Sequence, residues 1–359
     1  MTIKINSMLR RLIILSIAAL VAAQPLQAQE VKNIIYLIGD GMGLASVSMM
    51  QLENNYEPTI FDRATNVALQ KTYSLDNRVT DSAASGTALA TGTKTNNAML
   101  GITPEGYAPQ TLMELAAERG KATGLVVTTY LQHATPAAFY AHVRSRHEYA
   151  AIAEQLLHSD IDIAIGGGMA FFDERYGSRE EAVKAIHNNG FRLYDSIDMA
   201  EGGSRSLIIL ADKEIEERTG YLATATAKAI QHLEEEDDGF VLMVEGSIID
   251  GMGHGNDAEG QQGEMRDFMG AIEVAVAFAE THPGTLVVVT ADHETGGLTI
   301  VSNDADFNLA EQGVEYRWTT KGHSGTMVPI YLYGTGAELI NGVMENSELG
   351  AKLKELISH

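Results

Sequence analysis

Unbroken runs of apolar residues recur along the chain, and each ends in a glycine-rich or polar turn. A run of this length without polar alternation is typical of a strand that is buried on both faces of a sheet. The runs cover residues 32–38, 122–127, 161–165, 240–244, 285–289 and 328–333. The pattern therefore predicts a sheet whose strands lie inside the protein.

Segments with helical spacing of apolar residues lie between these runs. They cover residues 111–119, 182–189, 222–234, 261–279 and 349–357. Strands that alternate with helices, with no internal repeat and no linker between domains, predict one three-layer α/β/α sandwich with a central, mainly parallel sheet. The chain has 359 residues, of which 45% are hydrophobic, and this is enough to form a large core.

A stretch of small residues follows Asp81 and predicts a helix from Ser82 to Thr91, which Gly92 ends. Free backbone N–H groups and the helix dipole favour an anion at the first turn, so Ser82 is suited to face a phosphate or an acyl oxyanion. The stretch alone fits equally well a capping Asp81 ahead of a helix that packs through its small residues.

Ionisable side chains follow directly after several predicted strands, where ligands gather in open α/β sheets. So many carboxylates pack together only if cations neutralise them, and carboxylate with imidazole suits zinc, whereas carboxylate, hydroxyl and water suit magnesium. Asp250 and His254 have glycines between them, and we expect a flexible segment that converges on one ion. The candidates are Asp40, Glu245, Asp250, His254, Asp292, His293 and, from a late glycine loop, His323.

The loop after the run at 122–127 presents His133 and Thr135, and Arg146 lies shortly beyond. Pro136 predicts a helix that begins there and continues to about His142. The remaining histidines do not follow strand ends, and we interpret them as structural or solvated. They are His142, His147, His158, His187, His232, His282 and His359.

The charge pattern excludes some functions and indicates export. The formal net charge of −23 argues against nucleic acid or an anionic membrane as a partner, and the absence of cysteine excludes disulfides and thiolate ligands. A basic start with Arg10 and Arg11, followed by a short apolar run, predicts a signal peptide at residues 1–28, with a retained anchor as the alternative. We therefore expect a single catalytic domain at 29–359 in an exported protein, periplasmic or secreted, without stable membrane insertion.

Several segments together give the chain a resemblance to the alkaline phosphatases, and their order and spacing extend over nearly all of the chain after residue 28. The segments are Ile38-Gly39-Asp40-Gly41-Met42-Gly43, Asp81-Ser82-Ala83-Ala84-Ser85, Gln132-His133-Ala134-Thr135-Pro136-Ala137-Ala138 with Arg146, Val244-Glu245-Gly246, Asp250 with His254, Thr290-Ala291-Asp292-His293, and Gly322-His323-Ser324-Gly325.

The resemblance implies metal-dependent hydrolysis of small-molecule phosphate monoesters through a phosphoserine intermediate on Ser82. It implies that Arg146 grips the phosphate, with Asp81 behind it. It also implies two zinc ions and one magnesium ion. Their ligands would be Asp250, His254 and His323 for the first zinc, Asp40, Asp292, His293 and Ser82 for the second, and Asp40, Thr135 and Glu245 for magnesium, with His133 beside it.

The sequence departs from the best-known bacterial pattern of this family in three places. His133 replaces an aspartate that orders magnesium-bound water, although animal members also carry histidine there. Gly251 replaces a lysine that reaches the phosphate through water. The segment between His293 and His323 is short, so the extended insert of the animal dimers should be missing or minimal. These differences leave open the identity of the third metal, the phosphate affinity and whether the protein is a homodimer.

Two alternatives belong to other activities or classes. The first is a phosphodiesterase or sulfatase of the same superfamily, against which Arg146, the serine nucleophile and the lack of cysteine argue. The second is a catalytically silent phosphate- or metal-binding protein, which would lack a ligand or the nucleophile, and the sequence retains all of them.

Overall fold

The structure is a computed structural model and describes residues 30–200, 203–216, 218–302 and 313–358. The predicted signal peptide at 1–28 lies outside these residues. Among the described helices, none has the length and apolar character that crossing a membrane would need.

Fourteen strands are present in the described part of the chain, and ten of them form one sheet in the order β14-β2-β13-β8-β1-β7-β3-β4-β6-β5. Only β13 runs against its neighbours in this sheet, so the prediction of a mainly parallel sheet is confirmed. The strands are β1 Asn33–Gly39, β2 Asn66–Lys71, β3 Ala122–Tyr130, β4 Ile163–Gly167, β5 Arg192–Tyr194, β6 Ser206–Ile209, β7 Phe240–Gly246, β8 Thr285–Thr290, β9 Glu294–Thr295, β10 Leu298–Ser302, β11 Val314–Trp318, β12 His323–Ser324, β13 Val328–Gly334 and β14 Gly342–Glu345.

Helices cover both faces of this sheet. They are α1 Leu44–Glu53, α2 Ser82–Thr91, α3 Leu112–Glu118, α4 Ala134–Ala137, α5 Tyr149–His158, α6 Met169–Tyr176, α7 Arg179–Asn188, α8 Tyr221–Leu233, α9 Ile248–Gly255, α10 Ala258–Thr281 and α11 Asn346–Leu356. Two short 3-10 helices, Ile60–Arg63 and Ala337–Leu339, complete the described helical elements.

Side chains of β1 enter two separate hydrophobic clusters because successive residues of a strand point to opposite faces. Tyr36 packs in the cluster that includes α2 and α11, whereas Leu37 packs in the cluster that includes α8 and α10. The core therefore has two halves with the sheet between them, and the predicted α/β/α sandwich is confirmed.

Two local predictions are wrong. The helix expected from Pro136 to about His142 is the single turn α4, with His133 at its N-cap. The chain leaves the helical path because Val143 pairs with Leu100 in an antiparallel bridge, which requires extended backbone.

Asp250 and His254 converge as predicted, but they do so from helix α9, one turn apart, and not from a flexible segment. Of the α9 glycines, Gly253 allows close packing, since a Cβ there would lie 3.0 Å from Cγ2 of Thr295. The segment between His293 and His323 contains the small hairpin of β10 and β11.

Candidate active site

The candidate residues converge at the carboxyl ends of three adjacent strands. Strand β1 lies between β7 and β8, so Asp40, Glu245 and Asp292 meet at one edge of the sheet. All three carboxylates are fully buried. The turn after β1 is tight: Gly41 has φ of +74° and its backbone N–H donates to Oδ1 of Asp292 at 3.1 Å.

Three groups of side chains there have ligand atoms close enough to hold a metal ion, all within 4.8 Å of one another in each group. They are the outer group of Asp250, His254 and His323, the inner group of Asp40, Asp292 and His293, and the third group of Asp40, His133 and Glu245. Because Asp40 belongs to two groups, the inner and third sites are adjacent.

Buried atoms of the inner and third groups have no hydrogen-bond partner among the described residues. They are Asp40 Oδ1, Asp292 Oδ2, Glu245 Oε1 and His133 Nδ1. A buried polar atom without a partner is costly, and four of them beside one another match the donor set of divalent cations. Burial, and then the neighbouring Asp292, raise the pKa of Asp40, and burial raises the pKa of Glu245 to about 8. The residues therefore fit bound metal ions.

Ring hydrogen bonds orient two histidines of the outer group. The Nδ1–H of His254 donates to the carbonyl oxygen of Lys321 at 2.5 Å, and the Nδ1–H of His323 donates to that of Thr80 at 2.8 Å. Each bond leaves the Nε2 of its ring facing the carboxylate of Asp250. The Nε2 of His254 lies 3.2 Å from Oδ2 of Asp250, and the Nε2 of His323 lies 3.6 Å from Oδ1. A histidine whose Nδ1 donates in this way presents Nε2 as a metal ligand.

Thr295 orients the ring of His293, in the inner group, and connects the inner and outer groups. Its hydroxyl lies 2.5 Å from Oδ1 of Asp250 and 3.2 Å from Nδ1 of His293. A carboxylate only accepts, so the hydroxyl donates to Asp250 and accepts from His293. Nε2 of His293 then lies 3.1 Å from Asp292 Oδ2 and 3.5 Å from Asp40 Oδ1. Sequence reasoning did not single out Thr295, although it lies two residues beyond a candidate ligand.

Ser82 is the first residue of α2 and lies against the inner group. Its Oγ is 3.2 Å from Nε2 of His293, and the residue is buried. Asp81 caps the helix by accepting the N–H of Ala84 at 3.0 Å. The serine hydroxyl is therefore held at a helix N-terminus and among the atoms that would surround an ion.

Arg146 lies between Asp81 and His133. Its Nη1 donates to Oδ2 of Asp81 at 3.1 Å, and its Nη2 lies 3.3 Å from Nε2 of His133. Thr135, on α4, donates its hydroxyl to Oδ2 of Asp40 at 3.3 Å. The structure thus brings all the predicted site residues together at one edge of the sheet.

The C-terminal helix also contacts this region, and nothing in the sequence pattern indicates it. Asn346, at the start of α11, donates to the hydroxyl of Ser85 at 3.1 Å, and Ser85 donates to the backbone carbonyl of Asp292 at 2.6 Å. All three residues are buried. This chain of bonds fixes the Ser82 helix to the turn that carries Asp292.

Comparisons with known proteins identify the family of this chain. The family model described as alkaline phosphatase matches residues 31–314. Alkaline phosphatase 3 of Bacillus subtilis is 33% identical, over 92% of this chain and 90% of that protein. The solved alkaline phosphatase of the Antarctic bacterium TAB5 is 35% identical, with a TM-score of 0.86, over 92% of this chain and 99% of that one. A histidine-to-aspartate mutant of that enzyme, 34% identical over the same shares with a TM-score of 0.85, has magnesium bound in its M3 site. The chain therefore belongs to the alkaline phosphatase family of phosphoric monoester hydrolases.

Proposed function

We propose that Ser82 is the nucleophile with which this chain hydrolyses phosphate monoesters, by way of a phosphoserine intermediate. The observation that carries this proposal is the position of the Ser82 hydroxyl, which lies at a helix N-terminus and 3.2 Å from Nε2 of His293. A serine hydroxyl is a weak nucleophile by itself, so it needs a neighbour that favours its ionised form.

The outer and inner groups would each hold one zinc ion, the inner one with Ser82, and the third group would hold magnesium with the hydroxyl of Thr135. The carboxylate and imidazole donors of the first two groups suit zinc, and the oxygens of Asp40, Glu245 and Thr135 at the third suit magnesium. When bound, the ions supply positive charge that favours ionised serine and a departing alkoxide. The TAB5 mutant with aspartate in place of a histidine has magnesium bound in its M3 site, so an enzyme of this family can hold magnesium.

Side chains and one helix N-terminus of this chain would carry out the attack and bind the phosphate. The oxygen of Ser82 attacks phosphorus as the bond to the alcohol oxygen breaks, and water later cleaves phosphoserine to release inorganic phosphate. The guanidinium of Arg146 offers a planar fork for two phosphate oxygens, and its bond to Asp81 fixes the direction of that fork. The N-terminus of α2 adds positive potential at the same point.

The N-terminal pattern supports a further proposal, that residues 1–28 are a signal peptide and that 29–359 form one catalytic domain outside the cytoplasm. N-terminal sequencing of the native protein should begin between residues 24 and 29, and a start at Met1 would contradict export by cleavage. A homodimer is expected only from the family resemblance, and analytical ultracentrifugation tests it.

The substrate class is tested by comparing rates on an aryl phosphate and on its bis-aryl diester, with metal content measured on the same sample. We expect fast hydrolysis of the monoester, weak hydrolysis of the diester, and zinc and magnesium in the active preparation. A higher rate on the diester would favour the phosphodiesterase alternative. Full metal loading without hydrolysis of either ester would favour a silent binding protein.

A further inference from the structure

His142, outside the site described above, lies between two hydrogen-bond acceptors from distant parts of the chain. Its Nδ1 contacts the carbonyl oxygen of Gly101, and its Nε2 lies 3.0 Å from Oε1 of Glu114 on α3. A neutral imidazole carries one N–H and donates to only one acceptor, whereas the imidazolium donates to both. Both contacts are therefore hydrogen bonds only when the ring is protonated.

The segment that includes His142 also carries Arg146. Residues 98–101 and 143–146 lie side by side in a short structure that we call the arginine ladder, in which Leu100 and Val143 exchange backbone hydrogen bonds of 3.1 and 2.9 Å. The N–H of Arg146 donates to the carbonyl of Ala98 at 2.8 Å, and the N–H of Ala98 donates to Asp81 at 3.0 Å. The ladder thus supports both the guanidinium and the carboxylate that orients it.

We propose that His142 and Glu114 form a clip that holds the arginine ladder against α3 and thereby positions Arg146 for phosphate. This inference rests on the role of Arg146 in the proposed function. One end of the ladder is fixed near Asp81, and the clip fixes the other end, because His142 contacts Gly101 across the ladder. His142 and Glu114 touch no candidate metal ligand in the described structure, so they act through Arg146.

Protonation of His142 makes the clip depend on pH. The hydrogen bond to Glu114 raises the pKa of His142. The clip therefore contributes fully below the ordinary histidine pKa of about 6.5 and is weakened as pH rises through the raised pKa. Besides Glu114, the ionisable groups that line the same cavity of about 220 Å³ are Tyr140, His158 and Asp160, while Lys354 of α11 faces Glu114.

Glu114→Gln separates the charge of the clip from its geometry. Oε2 of Glu114 accepts the N–H of Thr111 at 2.7 Å, so the amide oxygen of glutamine can keep this bond. The amide N–H then donates to Nε2 of a neutral His142, whose Nδ1–H still donates to Gly101. The variant should keep the clip at alkaline pH, where the native protein weakens it.

The experiment measures the Ki of inorganic phosphate against aryl phosphate hydrolysis, with metal-loaded protein, from pH 6.5 to 9.5. The variants are His142→Ala, Glu114→Gln, Arg146→Ala and the double variant with alanine at 142 and 146, and metal content is measured for each. His158→Ala is the matched control, since His158 lines the same cavity but its ring bonds the carbonyl of Glu154.

At neutral pH, His142→Ala should raise the Ki by about 3- to 10-fold, the size of one or two lost hydrogen bonds, with metal content unchanged. The same change should have no effect in the Arg146→Ala background, because the coupled partner is already absent. The ratio of the Ki of Glu114→Gln to that of the native protein should fall as pH rises, and His158→Ala should match the native protein.

An equal loss from His142→Ala with and without Arg146 would overturn the clip while leaving the proposed function intact. So would a pH-independent ratio for Glu114→Gln, which remains measurable even if His142→Ala does not fold. If Arg146→Ala alone leaves the Ki unchanged, the proposed role of Arg146 is wrong and the clip is wrong with it.

Discussion

The inner and outer groups of the active site differ in how the fold holds them. In the inner group, Asp40 and Asp292 follow central strands of the sheet, and every member is fully buried. In the outer group, the side chain of His254 is 41% exposed and projects from the short helix α9, while His323 comes from a two-residue strand. The inner group is therefore part of the rigid core, whereas the outer group is mounted on elements near solvent.

This difference suggests a division of tasks. Ser82 lies against the inner group, where a rigid frame and exclusion of water favour a defined attack geometry. The outer group is the more exposed of the two, as the exit of an alcohol and the entry of water require. Thr295 connects the two groups with one hydroxyl, so the rigid half orients the exposed half.

The largest expected effect tests whether both groups hold metal. Exhaustive chelation should abolish activity and lower the melting temperature, because ions bound only by the folded state stabilise it. Zinc plus magnesium should restore both. During graded chelation, activity should fall before most of the stability is lost, because we expect the exposed outer group to lose its ion first. Activity that survives complete removal of metal would refute the metal assignment of both groups.

Arg146→Ala tests the phosphate contact beside the inner group. We expect kcat/KM for the monoester to fall by an amount that corresponds to about 2–4 kcal/mol of lost transition-state stabilisation, the scale of a lost charge-assisted contact in catalysis. The weak diester rate should fall much less, because one of the phosphate oxygens that Arg146 would contact is esterified in a diester. Arg146→Lys should recover only part of the loss, since it keeps the charge but not the fork. Equal losses on both esters would show that Arg146 does not distinguish them.

Thr295→Val tests the connection between the two groups. It preserves the size of the side chain but removes the hydroxyl that donates to Asp250 and accepts from His293. Loss of such an outer hydrogen bond should weaken zinc binding by about 10- to 100-fold. Thr295→Ser is the matched control and should retain most of the affinity. Zinc titration of the metal-free proteins measures these affinities. Equal affinities for the native protein and for Thr295→Val would exclude a role of the Thr295 hydroxyl in zinc binding.

The smallest expected effect concerns the third group. Burial, and then the charge of Arg146, lower the pKa of His133 to about 4, so the ring is neutral at working pH and offers no negative charge. His133→Asp should therefore tighten magnesium binding, by about 10-fold on the scale of changes next to bound metals. Isothermal titration of the metal-free protein with magnesium measures this. An unchanged affinity would place His133 outside the influence of the third ion.

Sequence reasoning was strongest where a residue follows a buried strand. Apolar runs located β1, β7 and β8, and parallel strands must bring Asp40, Glu245 and Asp292 to one edge. Local signals also placed the start of α2 correctly, because Asp81 caps it through its own side chain.

The sequence could not reveal contacts that depend on distant pairing. Glycines around Asp250 indicated flexibility, but the segment is helical, with Gly253 packed against the distant Thr295. Pro136 suggested a long helix, and pairing of Val143 with Leu100 prevents it. His142 carried no signal beyond its residue type, since its acceptor Gly101 lies 41 residues away.

Trapping the intermediate shows whether Ser82 carries the phosphoryl group. Metal-loaded protein is mixed with phosphate-labelled aryl phosphate, quenched in acid within one turnover, and digested for peptide mapping. Label should appear on Ser82 alone, and none should appear in Ser82→Ala, whose turnover should fall by about 10³-fold or more while metal content is retained. Rapid turnover with no label on Ser82, or near-normal turnover of Ser82→Ala, would contradict this role of Ser82.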